Sequence, residues 1–488
     1  MRGLNQSGHV LVQVIVFSTI AMVLLGGLIG WASVNIKASR IAVYREQAIQ
    51  LAESGVDYYR WHLAHAPTDY QDGTGVPGPY VHEVENSDGI LVGEFSLDIT
   101  PPPLGSTKVR IESTGTPTDN SAISRTIAVE MAIPSLAKYA VVANQDIRFG
   151  EGTEVFGPIH SNGGIRFDGL AHNLVSSAVA SYSDPDHSGG NEFGVHTHLN
   201  PPPSSGSNDT FRSAEAPPSV IPSRPDVFVV GRQFPVPAAD FVGIATNLAQ
   251  MKSDAQSDGR YFPASGYQGY RITFNTDDTF NVRRVNSQTN APSNCTNIAG
   301  VAGWGTWSVN NTSFVGNYNI PENGIIFVED NVWVEGTINS ARATVAAGKF
   351  PDNPSSRPNI IVNNNLRYTN FDGSDVLALI SQGHIHVGLV SDTDLRIDAA
   401  LIAQNGRVGR FYYPGPSGWQ NRCSPHHEKD SITLYGMIAT NQRYGFAYTD
   451  GNGYEIRDII YDANLLYSPP PSFPLTSDQY EVISWEEL

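Results

Sequence analysis

The side chains able to do chemistry gather in a few short stretches. Histidines come in pairs: His196 and His198 in VHTHL, His384 and His386 in GHIHV, His426 and His427 in SPHHEKD. On a strand, an x-His-x-His pair aims both imidazoles at one face, as zinc ligation needs. No third ligand is fixed by spacing, and polar strand faces carry such pairs routinely, so no metal ligand is assigned and no cofactor is expected. Asp450, Asn452 and Asp458 in DGNGYEIRD set oxygen donors at the first, third and ninth places of a calcium-loop-like array. Tyr454 departs from that pattern at the fifth place, and the Asp-Gly and Asn-Gly steps read more simply as a hairpin turn. Asp392, Asp394 and Asp398 around Arg396 come nearest to the carboxylates a polysaccharide-acting enzyme would hold on one groove. They fit a turn and an alternating solvent face equally well, so no catalytic residue is assigned and the chain is expected not to be an enzyme.

Cys295 and Cys423 lie in the polar segments NCT and RCS. Two lone thiols in a chain this long are more often unpaired, but in an exported protein they could close a long loop.

The elements that must position these residues begin with a membrane-length segment. From Val10 to Trp31 the polar side chains are Gln13, Ser18 and Thr19 alone, enough apolar length to cross a bilayer as one helix. A secretory signal has a shorter apolar region. Gly26 and Gly30 make a GxxxG step within the run. The sequence continues without proline to Pro67, with Ile41, Ala48, Ala52, Val56, Tyr59 and Leu63 at the spacing of an amphipathic stripe. The two halves predict one rod of about 58 residues, roughly 87 Å long.

Beyond it, glycine (46), proline (32) and tyrosine (21) are plentiful and charged residues make up only 16%, which favours many short strands joined by turns. GEFSLDI, TKVRIEST and RTIAVEMAI predict a small β module over 80–135. From residue 138 onward a small-x-Ile-x-x-Asn-like unit recurs as GPIHSN, GTINSA, ALIAQN and GMIATN. Short strands with Asn and Gly corners suit a parallel β-helix, with a β-sandwich as the alternative. First rungs are placed at 136–182 and the main solenoid at 311–465. The insertion between them, 183–310, carries HSGGNEFG, NPPPSSGSND, a helix starting near Ala239 or Asp240, and a hairpin in YRITFNTDDTFNVRRV. YGFAYTDGNGYEIRD predicts another hairpin, and 466–488 reads as a Pro-rich tail.

The short leader with Arg2, the glycine Gly8 ahead of the apolar run, and LAESGVDYYR near the helix end resemble type IV pilins and pseudopilins, most closely the PilX-like minor pilin domain. The resemblance covers about residues 1–66. It implies a leader at 1–8 cut by a prepilin peptidase between Gly8 and His9, and an assembly helix at 9–66 that packs with other pilin subunits and sits in the membrane before assembly. His9 departs from the apolar residue usual there. Gln13 falls where major pilins carry a glutamate that pairs with a neighbour's terminal amine. It keeps a hydrogen-bonding group but not the charge, which favours a minor or tip subunit. The implied location is the cytoplasmic membrane with the ectodomain outside, or the cell surface in a filament, and the implied work is assembly, adhesion or surface contact. A membrane-anchored binding protein outside any filament is the alternative. The net charge of −18 argues against nucleic acid as a partner, and no surface ligand is written in the sequence.

Overall fold

A computed structural model describes residues 7–186, 191–201, 215–241 and 247–488. The chain divides into two compact units: 1–102, 108–132 and 479–488 form one, and 103–107 with 133–478 form the other.

In the first unit the apolar run and the amphipathic stripe are one unbroken helix, α1, Ser7–His65. It ends just before Pro67, whose ring cannot continue a helix. Its C-terminal half buries Ala52, Tyr59 and Leu63 against Phe95, Leu97, Ile111, Val129 and Met131 of an antiparallel sheet, and Ala48 and Leu51 over Gly93 and Gly115. The strands run in the order Tyr80–Glu85, Leu91–Thr100, Val109–Pro117, Arg125–Ala132 and Glu481–Glu487. The last strand comes from the segment read as a Pro-rich tail. It pairs antiparallel with Arg125–Ala132.

Glycines set how closely helix and sheet approach. A Cβ on Gly115 would run into the Ala48 carbonyl oxygen and the Ala52 nitrogen, and one on Gly93 would meet the Leu51 side chain and, at 2.6 Å, the Thr116 carbonyl oxygen. On the helix side, a Cβ at Gly55 would strike Ser113 and Phe95. Helix backbone cannot yield as a flexible side chain can, so Gly115→Ala is expected to cost about 1–3 kcal/mol by overpacking. An unfolding midpoint equal to wild type would show that the helix is not seated so closely.

The second unit is a parallel β-helix. One ladder runs through Arg260–Phe262, Ile325–Val328, Arg342–Ala347, Val376–Ser381, the ends of Asp394–Ala403 and Glu428–Thr440, then Val141–Ala143, Ile159–Ser161, Val175–Ser177 and Arg232–Gln233. Two further ladders flank it. One joins Gly269–Phe274, Val332–Ile338, Ile360–Ile361, Ile385–Val387 and Val408–Arg410. The other joins Leu366–Tyr368, Asp394–Ala403, Glu428–Thr440, Gly453–Tyr461, Thr153–Phe156 and Leu170–Ala171. This parallel register distinguishes the fold from a β-sandwich, whose sheets are antiparallel.

Inward residues stack rung on rung: Ile326, Val345, Leu379, Leu401, Ile438, Val141, Ile159 and Val175 occupy equivalent places in the interior. Their neighbours Phe327, Ala346, Ile380, Ile402, Ala439 and Val142 point outward but are also covered, in part by Leu248, Met251 and Ala255 of α2, Asn247–Ser257. Burial on both faces explains the continuous apolar runs IIFV and VLALIS. Of the helix expected from Ala239 or Asp240, residues 239–241 are not helical, and 242–246 lie outside the described residues, as does most of NPPPSSGSND.

The rungs do not stack in sequence order. Val141–Ala143 sits between Ile438–Thr440 and Ile159–Ser161, so the earliest rungs extend the stack beyond the latest one. Rungs also begin at Arg260, inside the segment read as an insertion; there Gly269–Phe274 both joins a parallel ladder and starts the hairpin with Thr279–Gln288. The hairpin expected in YGFAYTDGNGYEIRD is short: Tyr448 N donates to the Asn452 carbonyl and Tyr454 N to the Phe446 carbonyl around one antiparallel bridge, Ala447 with Gly453, and Gly453–Tyr461 then runs on as a parallel rung strand between Glu428–Thr440 and Thr153–Phe156.

Asparagines mark one corner. Asn162 donates to Asn144 Oδ1 at 2.9 Å, and Asn144 to Asn441 Oδ1 at 2.8 Å, so GPIHSN and GMIATN are in phase. ALIAQN is one place off, since Ala403 pairs with Thr440. GTINSA belongs to another corner, where Asn370 donates to Asn339 at 3.1 Å.

Candidate functional site

The N-terminal half of α1 exposes nearly every apolar side chain it has: Val10, Leu11, Val12, Val14, Ile15, Phe17, Leu24, Leu25, Leu28 and Trp31 are all more than half exposed. It is the one described helix long and apolar enough to cross a membrane. Gly8 and His9 lie in its first turns and Gln13 is exposed on it. Residues 1–6 of the expected leader lie outside the described residues. Gly26 and Gly30 have open space where a Cβ would stand, and the helix passes both without a break.

The histidine pairs meet different fates. His384 and His386 both pack on Phe411, at 5.8 and 4.9 Å between ring centroids, and His386 also meets the Trp307 edge at 4.8 Å. Burial pushes His384 down to about 4 and His386 well below the usual imidazole range, with Arg407 adding to both. His384 Nδ1 accepts the Arg407 amide at 3.0 Å, which fixes its proton on Nε2. His427 lies 3.3 Å from Glu428. Neither pair joins a group of metal-binding side chains among the described residues.

His196 and His198 do. His196 ends the short strand Val195–His196, which pairs in parallel with Ile165–Phe167, and Leu199 follows one residue beyond His198. An antiparallel pair, Ser181–Ser183 with Asn191–Phe193, brings Asp184 and Glu192 to them. The ligand atoms of Asp184, Glu192, His196 and His198 lie within 4.8 Å of one another, and all four residues are buried. His196 Nε2 is 3.0 Å from Glu192 Oε2 and 3.4 Å from Asp184 Oδ2; His198 Nε2 is 3.0 Å from Glu192 Oε1. Burial pushes the Asp184 carboxyl up, but His196, the Asp186 amide and Arg166 more than offset this and hold it well below the usual carboxylate range. The spacing of VHTHL supplied the histidines; the carboxylates were missed because SDPDHSGGNEFG reads as a turn-rich excursion. The signal was Glu192, four residues before His196.

The remaining candidates are dispersed. Asp450 accepts from the Tyr412 hydroxyl at 2.7 Å and Asn452 Oδ1 accepts the Tyr413 amide at 3.2 Å, while Asp458 sits in the ladder opposite Glu154. Asp392 accepts the Asn365 amide, Asp394 the Ser431 hydroxyl, and the wholly buried Asp398 takes the Tyr368 amide at 2.9 Å and Arg396 Nε at 2.8 Å. Each of these carboxylates ties one rung to the next. Cys295 and Cys423 form a disulfide, both buried, with Leu389, Phe411 and Tyr413 around it.

No protein-family model and no curated protein sequence matches the chain. Among solved structures, the competence-associated pilin ComZ from Thermus thermophilus is similar over 91% of this chain and 98% of that one, at 12% identity and a TM-score of 0.28. A superposition that loose establishes neither fold nor role.

Proposed function

We propose that the chain is a non-catalytic, pilin-related subunit. In this reading it is held in the cytoplasmic membrane by α1 before assembly, then presented at the cell surface in a type IV pilus-like filament that serves adhesion or surface contact. The observation that carries this reading is α1 itself. One continuous helix offers an exposed apolar half, which needs lipid or neighbouring helices around it, and a second half clamped into an antiparallel sheet. The PilX-like sequence features at Gly8 and LAESGVDYYR point the same way. Gln13 sets a neutral amide where a charged pairing would specify a repeating subunit, so the role is that of a minor or tip component.

The test is N-terminal sequencing of the chain co-expressed with a prepilin peptidase. The expected product begins at His9, and Gly8→Leu blocks its formation. A chain that retains Met1 to Gly8 under those conditions sinks the pilin reading and leaves a permanently anchored surface protein.

A further inference from the structure

We infer that Asp184, Glu192, His196 and His198 form a closed site for one divalent cation of the zinc class, which fastens the 181–198 excursion to the β-helix. The proposal is independent of the pilin reading.

The first support is the donor set. Two imidazole nitrogens and two carboxylates converge, with neighbouring ligand atoms 3.0 to 3.4 Å apart. A tetrahedral ion with bonds of about 2.0 Å holds its ligand atoms about 3.3 Å apart. The second support is that three atoms at the centre of the set make no hydrogen bond. Both ring nitrogens of His196 and Oδ2 of Asp184 are buried without a hydrogen-bond partner, although Nε2 and Oδ2 face each other at 3.4 Å. Such proximity without hydrogen-bond alignment is how ligands point at a shared centre. Buried polar atoms are otherwise almost always paired.

Charge points the same way. Asp184 and Glu192 are carboxylates almost shut off from water, at 3% and 0% exposure. Arg166 lies 3.7 Å from Asp184, but its Nε is closer to Asp168, at 2.6 Å. Arg148 lies between Asp168 and Asp186, at 3.9 and 3.6 Å, and Arg443 pairs with Asp186. A divalent ion between the two buried carboxylates would add to the compensation that Arg166 gives Asp184. Nitrogen donors disfavour calcium and magnesium, which take oxygen. Four protein ligands leave no position for water, so the site is structural rather than catalytic. It would join the two arms of the Ser181–Ser183 and Asn191–Phe193 pair to a strand laid on the rung Ile165–Phe167.

The experiment uses the full chain in detergent, stripped with a chelator and confirmed folded by circular dichroism. Zinc and cobalt(II) are then added separately, with calcium as competitor. The expected result is about one ion per chain, intense cobalt absorption of a four-coordinate site, and zinc-edge X-ray absorption with two imidazoles in a shell near ~2.0 Å. His196→Asn and His198→Asn should each weaken binding by more than the roughly 10–100-fold typical of losing an outer-shell partner. A folded wild-type chain that binds neither ion overturns the proposal, leaving a hydrogen-bonded histidine–carboxylate network. So do a zinc shell without imidazole, displacement by calcium, or unchanged affinity in both folded variants. If the variants do not fold, the wild-type absorption spectrum decides alone.

Discussion

Replacing Cys295 and Cys423 with alanine is expected to lower stability by about 5 kcal/mol in the chain-entropy account of a crosslink, because the bonded residues are 128 positions apart. The bridge ties the loop before Val309 to the segment after Arg410. Those segments also share Trp304 Nε1 donating to the Tyr412 carbonyl and the Tyr413 hydroxyl donating to the Gly305 carbonyl, both at 2.6 Å. These bonds and the surrounding cluster of Leu389, Phe411 and Tyr413 persist in the variant, so the loss is expected to come chiefly from the freed unfolded chain. The readout is the denaturant midpoint of wild type and double-alanine chains under oxidising conditions. Alanine is preferable to serine, which would bury two hydroxyls at positions 3% and 0% exposed. Adding reductant to wild type should act slowly, since neither sulfur is open to solvent. Equal midpoints, or a non-reducing peptide map with both thiols free, would contradict the bridge.

What could be read from the sequence was what rests on local pattern. The apolar run and the stripe specify α1 because helical period and burial agree at Ala48, Ala52, Tyr59 and Leu63, while Ile41, ahead of the sheet-packed half, stays exposed and Val56 is half-buried. GPIHSN and GMIATN announced a repeating corner because Asn162 and Asn441 do stack through Asn144. What could not be read depends on partners distant in the chain. Val141 pairing with Ile438 leaves no local mark, and neither does the choice of Gly453–Tyr461 to join a ladder instead of extending the hairpin. Phase is equally hidden: GTINSA looks like its fellow units, yet Ile338 lies in a different ladder from Ile438. The strand Glu481–Glu487 was masked by the prolines ahead of it. At the cation site, half of the donor set was visible in VHTHL. The other half depended on Asp184 and Glu192 being turned inward by a short antiparallel pair that a Ser-, Gly- and Pro-rich stretch does not advertise.

Acidification from pH 7 to pH 5 is expected to destabilise the β-helix through its buried imidazoles, and His386→Phe to remove part of that loss. His386 is wholly enclosed, with both ring nitrogens lacking a hydrogen-bond partner, and burial depresses its pKa well below that of an exposed imidazole. His384 is depressed to about 4, again mainly by burial. The sign follows from proton counting. Below pH 6.5 the unfolded chain takes up protons that the folded chain refuses until its own lower pKa, so stability falls as pH drops through that window. The slope approaches about 1.4 kcal/mol per pH unit for each such group, which makes the loss by pH 5 on the order of 2 kcal/mol per imidazole. His160 and His426, also depressed by burial, act in the same direction. Buried Asp398 and Asp462 and half-buried Asp458 are raised and act in the opposite one. The readout is therefore the difference between variant and wild type at each pH, not the slope of either. Phenylalanine keeps the packing on Trp307 and Phe411 and forfeits no hydrogen bond, so the variant should match or exceed wild type at pH 7 and gain about 2 kcal/mol on it by pH 5. Parallel stability curves for the two proteins would mean that His386 is protonated in the folded chain, and the account of its burial would fail.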